Sequence, residues 1–253
     1  MPHNPAQDLE AWDRSWRAGL SGKALKDGWY LMDLLKFERL STVIPPTGKT
    51  LEVGCGTGRL SSLLALKGYD NFLLDYSRSA LLSSRQTFED LRLTDSAKIV
   101  QADAYRLPFD DNQFDIVMST GLLEHFKDPS PIVREMTRVL VPGGLFYSDV
   151  VPKKFSLFRL SALWQPFQIG GESIFEGRYS PADIHAWLTA TGQLENIQTI
   201  GAGVLPPYRL THRPALSRKI TFALKPLWRF LEGGWTGRAL GCYYFVTAWK
   251  KTP

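Results

Sequence analysis

Two cysteines in 253 residues, Cys55 and Cys242, leave no basis for a disulfide framework and suit a reducing cytoplasm. Long apolar runs are missing too, since no stretch approaches the roughly 20 residues that cross a bilayer. The opening residues, MPHNPAQDLEAWDRSW, carry acids where a secretory leader would hold its apolar segment, so no signal peptide is expected. Internal repeats and low-complexity tracts are absent. With 44% hydrophobic and 22% charged residues, general disorder is excluded. Acidic side chains are scarce in one region. From Tyr208 to Pro253, Glu232 is the only carboxylate side chain, and the net charge of +5 is distributed accordingly.

A chain of this length fits one large α/β domain, or one domain with an appended cap. Leu31, Leu34, Leu35 and Phe37 recur at helical spacing before Pro45 and Pro46 end the segment. From Thr50 short apolar runs alternate with helical patterns. TLEV, NFLLD, AKIVQAD, FDIVMST and GLFYSDVV read as strands. GRLSSLLALKG, SRSALLSSRQTFEDL (with Ser77 as N-cap) and PSPIVREMTRVL read as helices between them. Repeated βα units with near-continuous apolar strands predict a doubly wound parallel sheet with its strand-to-helix loops on one carboxyl edge. The rhythm breaks after Val151 in an aromatic, basic stretch. It resumes with a helix capped by Ser180 and started by Pro181, then a sixth strand LENIQTIGAG. A basic amphipathic helix kinked at Pro226 follows, and then a seventh strand GCYYFVTAWKK.

The chemistry-bearing residues cluster at strand ends. Gly54, Gly56 and Gly58 form G-x-G-x-G, and Arg59 stands where a dinucleotide fingerprint would continue. No Gly-Lys-Ser/Thr follows, so a Walker phosphate loop is excluded. Glycines so closely spaced permit positive φ and let a ligand lie against the backbone; a ligand-free tight turn is the alternative. Glu52 lies inside a buried run, where a carboxylate needs a partner: a ligand ammonium, or an amide network ordering the loop. Asp75 closes the second strand about 20 residues past the glycines, where nucleoside-binding α/β folds place an acid on ribose hydroxyls. Asp103 ends the third strand and suits either an exocyclic amine or a turn cap.

LEVGCGTGRLS, LLDYS, QADAYRLPFDDNQFDIVMSTGLLEHF and REMTRVLVPGGLF stand in the order and spacing of a known family. Over residues 49–150 the chain resembles the class I S-adenosylmethionine-dependent methyltransferases, with the enzymes of ubiquinone and menaquinone biosynthesis and related small-molecule methyltransferases as its nearest look-alikes. The resemblance implies a Rossmann-like doubly wound seven-stranded α/β sheet with the last strand antiparallel, helices on both faces and an α-helical or loop cap. It implies S-adenosyl-L-methionine as cofactor, with S-adenosyl-L-homocysteine as product. Gly54, Cys55, Gly56 and Gly58 would then pass beneath the methionine and ribose parts, with Glu52 ordering the loop and the amino-acid end. Asp75 would bind the ribose diol, Tyr76 the adenine face, and Asp103 with Ala104 the adenine edge. Thr120, Gly121 and Leu122 would line the sulfonium side.

Within LLEHF, His125 has the intrinsic pKa of a general base for a protonated acceptor, with Glu124 beside it; the alternative is that both only order the loop. No metal site is expected, because too few ligands cluster. LPPYRL at 205–210 is similar to the Pro-Pro-Tyr loop of amino-methylating nucleic-acid enzymes. It follows the wrong strand, however, and begins with Leu205, so DNA is not an expected substrate; Tyr208 could still face an acceptor.

These readings divide the chain into an N-terminal helical part of the cap (1–48), the cofactor-binding core (49–151), an inserted cap segment (152–180) and the C-terminal part of the core (181–253). Phe155, Phe158, Trp164, Phe167, Phe175 and Tyr179 suit an apolar acceptor pocket or a core equally. The expected function is methyl transfer to an O, N or C atom of a small hydrophobic or amphipathic acceptor. RNA or protein methylation, and a non-catalytic cofactor-binding scaffold, are the alternatives. Residues 213–235 carry Leu216, Ile220, Leu224, Leu227 and Leu231 with interspersed Lys and Arg. That stretch could lie on an anionic membrane, shelter a hydrophobic substrate or pack on the sheet.

Overall fold

The computed structural model describes residues 10–14, 16–17, 28–156, 175–204, 213–232 and 234–253. A seven-stranded sheet in the order β3-β2-β1-β4-β5-β7-β6 organises it. The strands are β1 (Lys49–Val53), β2 (Asp70–Asp75), β3 (Ala97–Gln101), β4 (Phe114–Thr120), β5 (Leu140–Val150), β6 (Leu194–Ala202) and β7 (Tyr243–Lys250). The first five pair in parallel, and β7 alone runs antiparallel, to both β5 and β6. The Rossmann-like expectation therefore holds, including its reversed last strand.

Alternation along the strands divides the core between two faces. Leu51, Val53, Val117 and Phe146 meet α4 (Ser130–Val139) and α5 (Pro181–Thr189) through Ile132, Met136, Ile184 and Leu188. Ile116, Met118, Leu145 and Tyr147 meet α1 (Gly28–Leu40) and α2 (Arg59–Ala65) on the other side. Next to α2, the helix α3 (Arg78–Asp90) packs Leu81 and Phe88 on Leu73.

The predicted helix starts are present. Ser77 accepts the Ala80 N–H at 3.2 Å. Ser180 and Asp183 form a reciprocal capping box at the start of α5, whose Pro181 needs no hydrogen-bond partner there.

Three elements differ from the sequence reading. Strand β5 begins at Leu140 rather than Gly144, because Leu140 is already extended at the end of α4 and pairs with Phe114. The Val-Pro-Gly-Gly stretch thus forms an irregular entry to the strand, with Gly143 at φ +74°. The single kinked helix is two helices, α6 (Pro214–Ala223) and α7 (Lys225–Leu231), which meet at Leu224. Pro226 lies in the first turn of α7, where its missing N–H costs nothing. A short helix α8 (Trp235–Leu240) was not expected, since Gly237 interrupts its pattern. It forms because Gly237 sits directly on Gly201 of β6, and a Cβ on Gly201 would fall 2.3 Å from the Gly237 carbonyl carbon.

That contact yields a test. Gly201→Ala should lower stability by about 1–3 kcal/mol through backbone overpacking. Gly234→Ala, with nothing within 4 Å of its Cβ, should stay within about 0.5 kcal/mol. Thermal unfolding of the two variants measures the difference.

Candidate functional site

Strand order reverses at β1, which has β2 on one side and β4 on the other, so a crevice opens at their carboxyl ends. The glycine loop after β1 lies there. Gly54, Gly56 and Gly58 adopt φ of +68°, +52° and +63°, which only glycine takes readily. Each also lacks space for a Cβ. One on Gly54 would lie 2.6 Å from Leu122, on Gly56 2.8 Å from Trp16, and on Gly58 2.5 Å from Leu73. Cys55, between them, is buried; it donates its N–H to the Leu74 carbonyl at 2.9 Å, and burial raises its thiol pKa well above the usual value.

Glu52 on β1 is 1% exposed. Ser61 of α2 donates to its Oε2 at 2.5 Å, and Thr120 at the end of β4 donates to Oε1 at 2.9 Å. The carboxylate thus joins β1, the helix after the loop and the neighbouring strand. Burial nonetheless outweighs the two hydroxyls and moves its pKa up to about 7. Thr120, expected on the sulfonium side, is thereby fixed against Glu52 at the carboxyl end of β4. Gly121, at φ +67°, donates to the Asp149 carbonyl at 3.0 Å, and Leu122 packs its methyls on Gly54.

A second set of charges ties α1 to the loop. Arg59, at the position where a dinucleotide loop has glycine, reaches Asp33 at 2.6 Å. Lys36 lies 3.8 Å from Asp33 and 2.8 Å from Asp149, whose other oxygen accepts from Tyr147 at 2.6 Å. Burial opposes the charge on Lys36, but Asp149 and Asp33 more than offset it and raise its pKa.

Asp75 ends β2 with Oδ2 accepting the Gly56 N–H at 3.0 Å and Oδ1 the Ser77 N–H at 2.9 Å. Each oxygen keeps a second lone pair. Burial raises its pKa to about 6 against those backbone donors. Tyr76 is exposed beside it, and its carbonyl accepts from Gln101. Asp103 Oδ1 accepts the Tyr105 N–H at 2.9 Å in a turn, Asp103 itself is exposed, and Ala104 is buried behind it.

Glu124 and His125 form a short 3₁₀ turn after β4. His125 Nδ1 lies 2.8 Å from the Phe175 carbonyl oxygen. A carbonyl only accepts, so Nδ1 carries the proton of the neutral ring and Nε2 keeps its lone pair. Glu124 Oε1 is 4.0 Å from Nε2, and Glu124 itself is 2% exposed. Its Oε2 has no hydrogen-bond partner among the described residues, and burial raises its pKa.

The sequence placed residues 1–48 in the cap but did not single out the side chains that reach the loop. Trp12 packs edge-on against His125 with ring centroids 4.8 Å apart. Asp13 accepts from the Ser77 hydroxyl and, at 3.1 Å, from the Ser79 N–H at the start of α3. Burial works against its charge, but these bonds outweigh it and lower its pKa. Trp16 lies against Gly56. The WDRSW spacing of two Trp four apart was the available signal, because it puts both rings on one helical face. Trp12, Asp13 and Trp16 thus reach the carboxyl ends of β4, β2 and β1 respectively.

Among the described residues no three His, Cys, Asp or Glu side chains converge to hold a metal ion. Phe155 and Phe175 are exposed rather than core, while Tyr179 donates to the Phe126 carbonyl and meets Trp187. Phe158, Trp164, Phe167, Leu205 and Tyr208 lie outside the described residues.

The family model described as "Methyltransferase domain" matches residues 51–148. Over 60% of its length the chain is 26% identical to a ubiquinone biosynthesis O-methyltransferase of Methylococcus capsulatus, covering 66% of that protein. Over 47% of its length it is 35% identical to a ubiquinone/menaquinone biosynthesis C-methyltransferase of Shewanella sediminis, covering 51% of it. The chain thus spans about half to two thirds of these two relatives. A solved SAM-dependent methyltransferase from Thermotoga maritima shares the fold, with a TM-score of 0.60, 14% identity, and coverage of 95% of this chain and 100% of that one.

Glu52 generates a pH prediction for the ligand-free protein. Its folded pKa of about 7 exceeds its unfolded value, so the folded state binds the extra proton. The stability tied to this group is complete below its unfolded pKa and is lost as pH rises through about 7. At about 1.4 kcal/mol per unit the loss amounts to a few kcal/mol. Denaturant unfolding from acid to neutral pH should show this decline, and Glu52→Gln should flatten it.

Proposed function

We propose, from the premise that residues 51–148 of this chain are a class I methyltransferase domain, that the protein moves a methyl group from S-adenosylmethionine to a small hydrophobic or amphipathic acceptor. Asp75 is the observation that carries this reading. Its two oxygens order the loop through Gly56 and Ser77 and retain lone pairs suited to a pair of vicinal hydroxyls. No Lys stands in the loop, so the donor set fits a nucleoside without phosphates rather than a nucleotide. When bound, the cofactor supplies an electrophilic methyl on a sulfonium.

The chain's own residues then have defined tasks. The glycine loop allows close backbone approach, Glu52 holds that loop rigid against β4, and Asp75 takes the ribose. Transfer is an in-line displacement, so alignment of acceptor and methyl provides much of the rate. With Nδ1–H held by the Phe175 carbonyl, His125 offers Nε2 to an acceptor O–H or N–H proton. The nearby Glu124 carboxyl stabilises the imidazolium that results. Trp12 fixes the ring from its other side.

The activities of the two relatives, one transferring to oxygen and one to carbon in quinone biosynthesis, support a small-molecule acceptor. They differ on the acceptor atom, and His125 favours an acceptor that carries a proton.

Calorimetry with S-adenosylhomocysteine should show one binding site, and no binding would remove the cofactor reading. Asp75→Ala should weaken that binding at least about tenfold, since hydrogen bonds to a charged group contribute about 1.5–3 kcal/mol. Unchanged affinity would eliminate its ribose role. Incubating a cell extract with labelled cofactor identifies the acceptor by the metabolite that gains the label. On that acceptor, His125→Ala should lower turnover by about 10²–10⁴ with S-adenosylhomocysteine affinity retained. Unaltered turnover would rule out the base.

A further inference from the structure

The insertion between β6 and β7 carries a surface that the cleft does not use. Its helices α6 and α7, with the start of α8, expose several large apolar residues while burying two small polar ones and a single Trp. Ser217, Thr221 and Trp228 are buried, whereas Leu216, Leu224, Leu227, Phe230 and Trp235 are exposed. Phe230 is 84% exposed and Trp235 77%, so these rings stand almost wholly clear of the protein. A helix that only completed a core would show the reverse arrangement.

Ion pairs account for the orientation. Lys225 and Arg229 both reach Glu38 of α1, the second at 3.7 Å. Arg39 of α1 pairs with Glu232, whose other oxygen accepts the Gly203 N–H at 2.9 Å. These contacts and the buried Trp228 put positions 225, 228, 229 and 232 on the inner face of α7. Positions 224, 227 and 230 then face away.

Exposed Arg213, Arg218, Lys219 and Arg238 flank the apolar residues. Glu232, the only acid from Tyr208 onward, is already engaged by Arg39 and Gly203.

We propose that this face docks on a bilayer surface carrying anionic lipid headgroups. The basic rim, with no free acid among the described residues from 213 onward, complements such headgroups, and the protruding Leu, Phe and Trp side chains suit the boundary between headgroups and acyl chains. A second copy of the chain would set one basic rim against another. A nucleic acid would leave the apolar side chains in water. The insertion leaves the sheet at Ala202, on the carboxyl edge where the glycine loop also lies. Docking therefore brings the edge that holds the candidate site toward the headgroups, where a hydrophobic acceptor would be encountered.

Co-sedimentation of the full chain with vesicles tests this. The protein should pellet with phosphatidylcholine–phosphatidylglycerol vesicles and bind phosphatidylcholine alone at least about tenfold more weakly, since each of several basic residues near an anionic surface adds to the attraction. The double variants Phe230→Ser/Trp235→Ser and Arg218→Glu/Lys219→Glu should each lose at least about tenfold in vesicle affinity with unchanged melting temperature. Protein left in the supernatant with the mixed vesicles overturns the proposal. So does equal binding to neutral vesicles, or full binding by both variants. Light scattering that finds a dimer, converted to monomer by the Phe230/Trp235 changes, would assign the face to a second copy instead. Asp75→Ala should leave sedimentation intact, so this proposal and the cofactor reading fail separately.

Discussion

A single buried carboxylate, Glu52, sets the geometry on which the rest of the site depends. A charge buried in strand β1 is unfavourable, and it is tolerated here because two hydroxyls from different elements turn toward it. Ser61 brings α2 into line behind the glycine loop, and Thr120 locks the end of β4 beside it. Burial still dominates, which is why the group's pKa lies near neutrality rather than in the acid range.

The ion chain from Arg59 through Asp33 and Lys36 to Asp149 extends the same logic outward. It ties the first turn of α2 to α1 and to the end of β5, so three elements that share no local sequence are held in register. Arg59 therefore has a structural reason to occupy the position at which it departs from a dinucleotide loop. Asp149 also presents its backbone carbonyl to Gly121, which fixes the turn leading to Glu124 and His125. The tautomer of His125 follows from one further contact, the Phe175 carbonyl, contributed from 50 residues away.

Electrostatics also orders the C-terminal insertion. Glu38 and Arg39 on α1 draw in Lys225, Arg229 and Glu232, and this pairing turns Leu227 and Phe230 of α7 outward. The apolar residues at 224, 227 and 231 could have packed on the sheet by their periodicity alone. Charge pairing across the protein chose the opposite orientation.

Local pattern was enough to identify the strands, the helix starts at Ser77 and Ser180, the glycine loop, and the acids at 52 and 75. Each of these rests on short-range physics: strand alternation, side-chain capping, glycine's access to positive φ and the cost of burying a charge. The resemblance of residues 49–150 to the class I methyltransferases rests on the same short stretches. What lay beyond reach depended on partners distant in the chain. The docking of α8 needs Gly237 to meet Gly201, the role of Thr120 needs β4 beside β1, and the closure by Trp12, Asp13 and Trp16 needs the N-terminal stretch to cross the loop. The sequence by itself determined which residues could bind and react. Only the tertiary structure decided which of them face one another, because hydrogen bonds and ion pairs act over a few ångströms of space, whatever the separation along the chain.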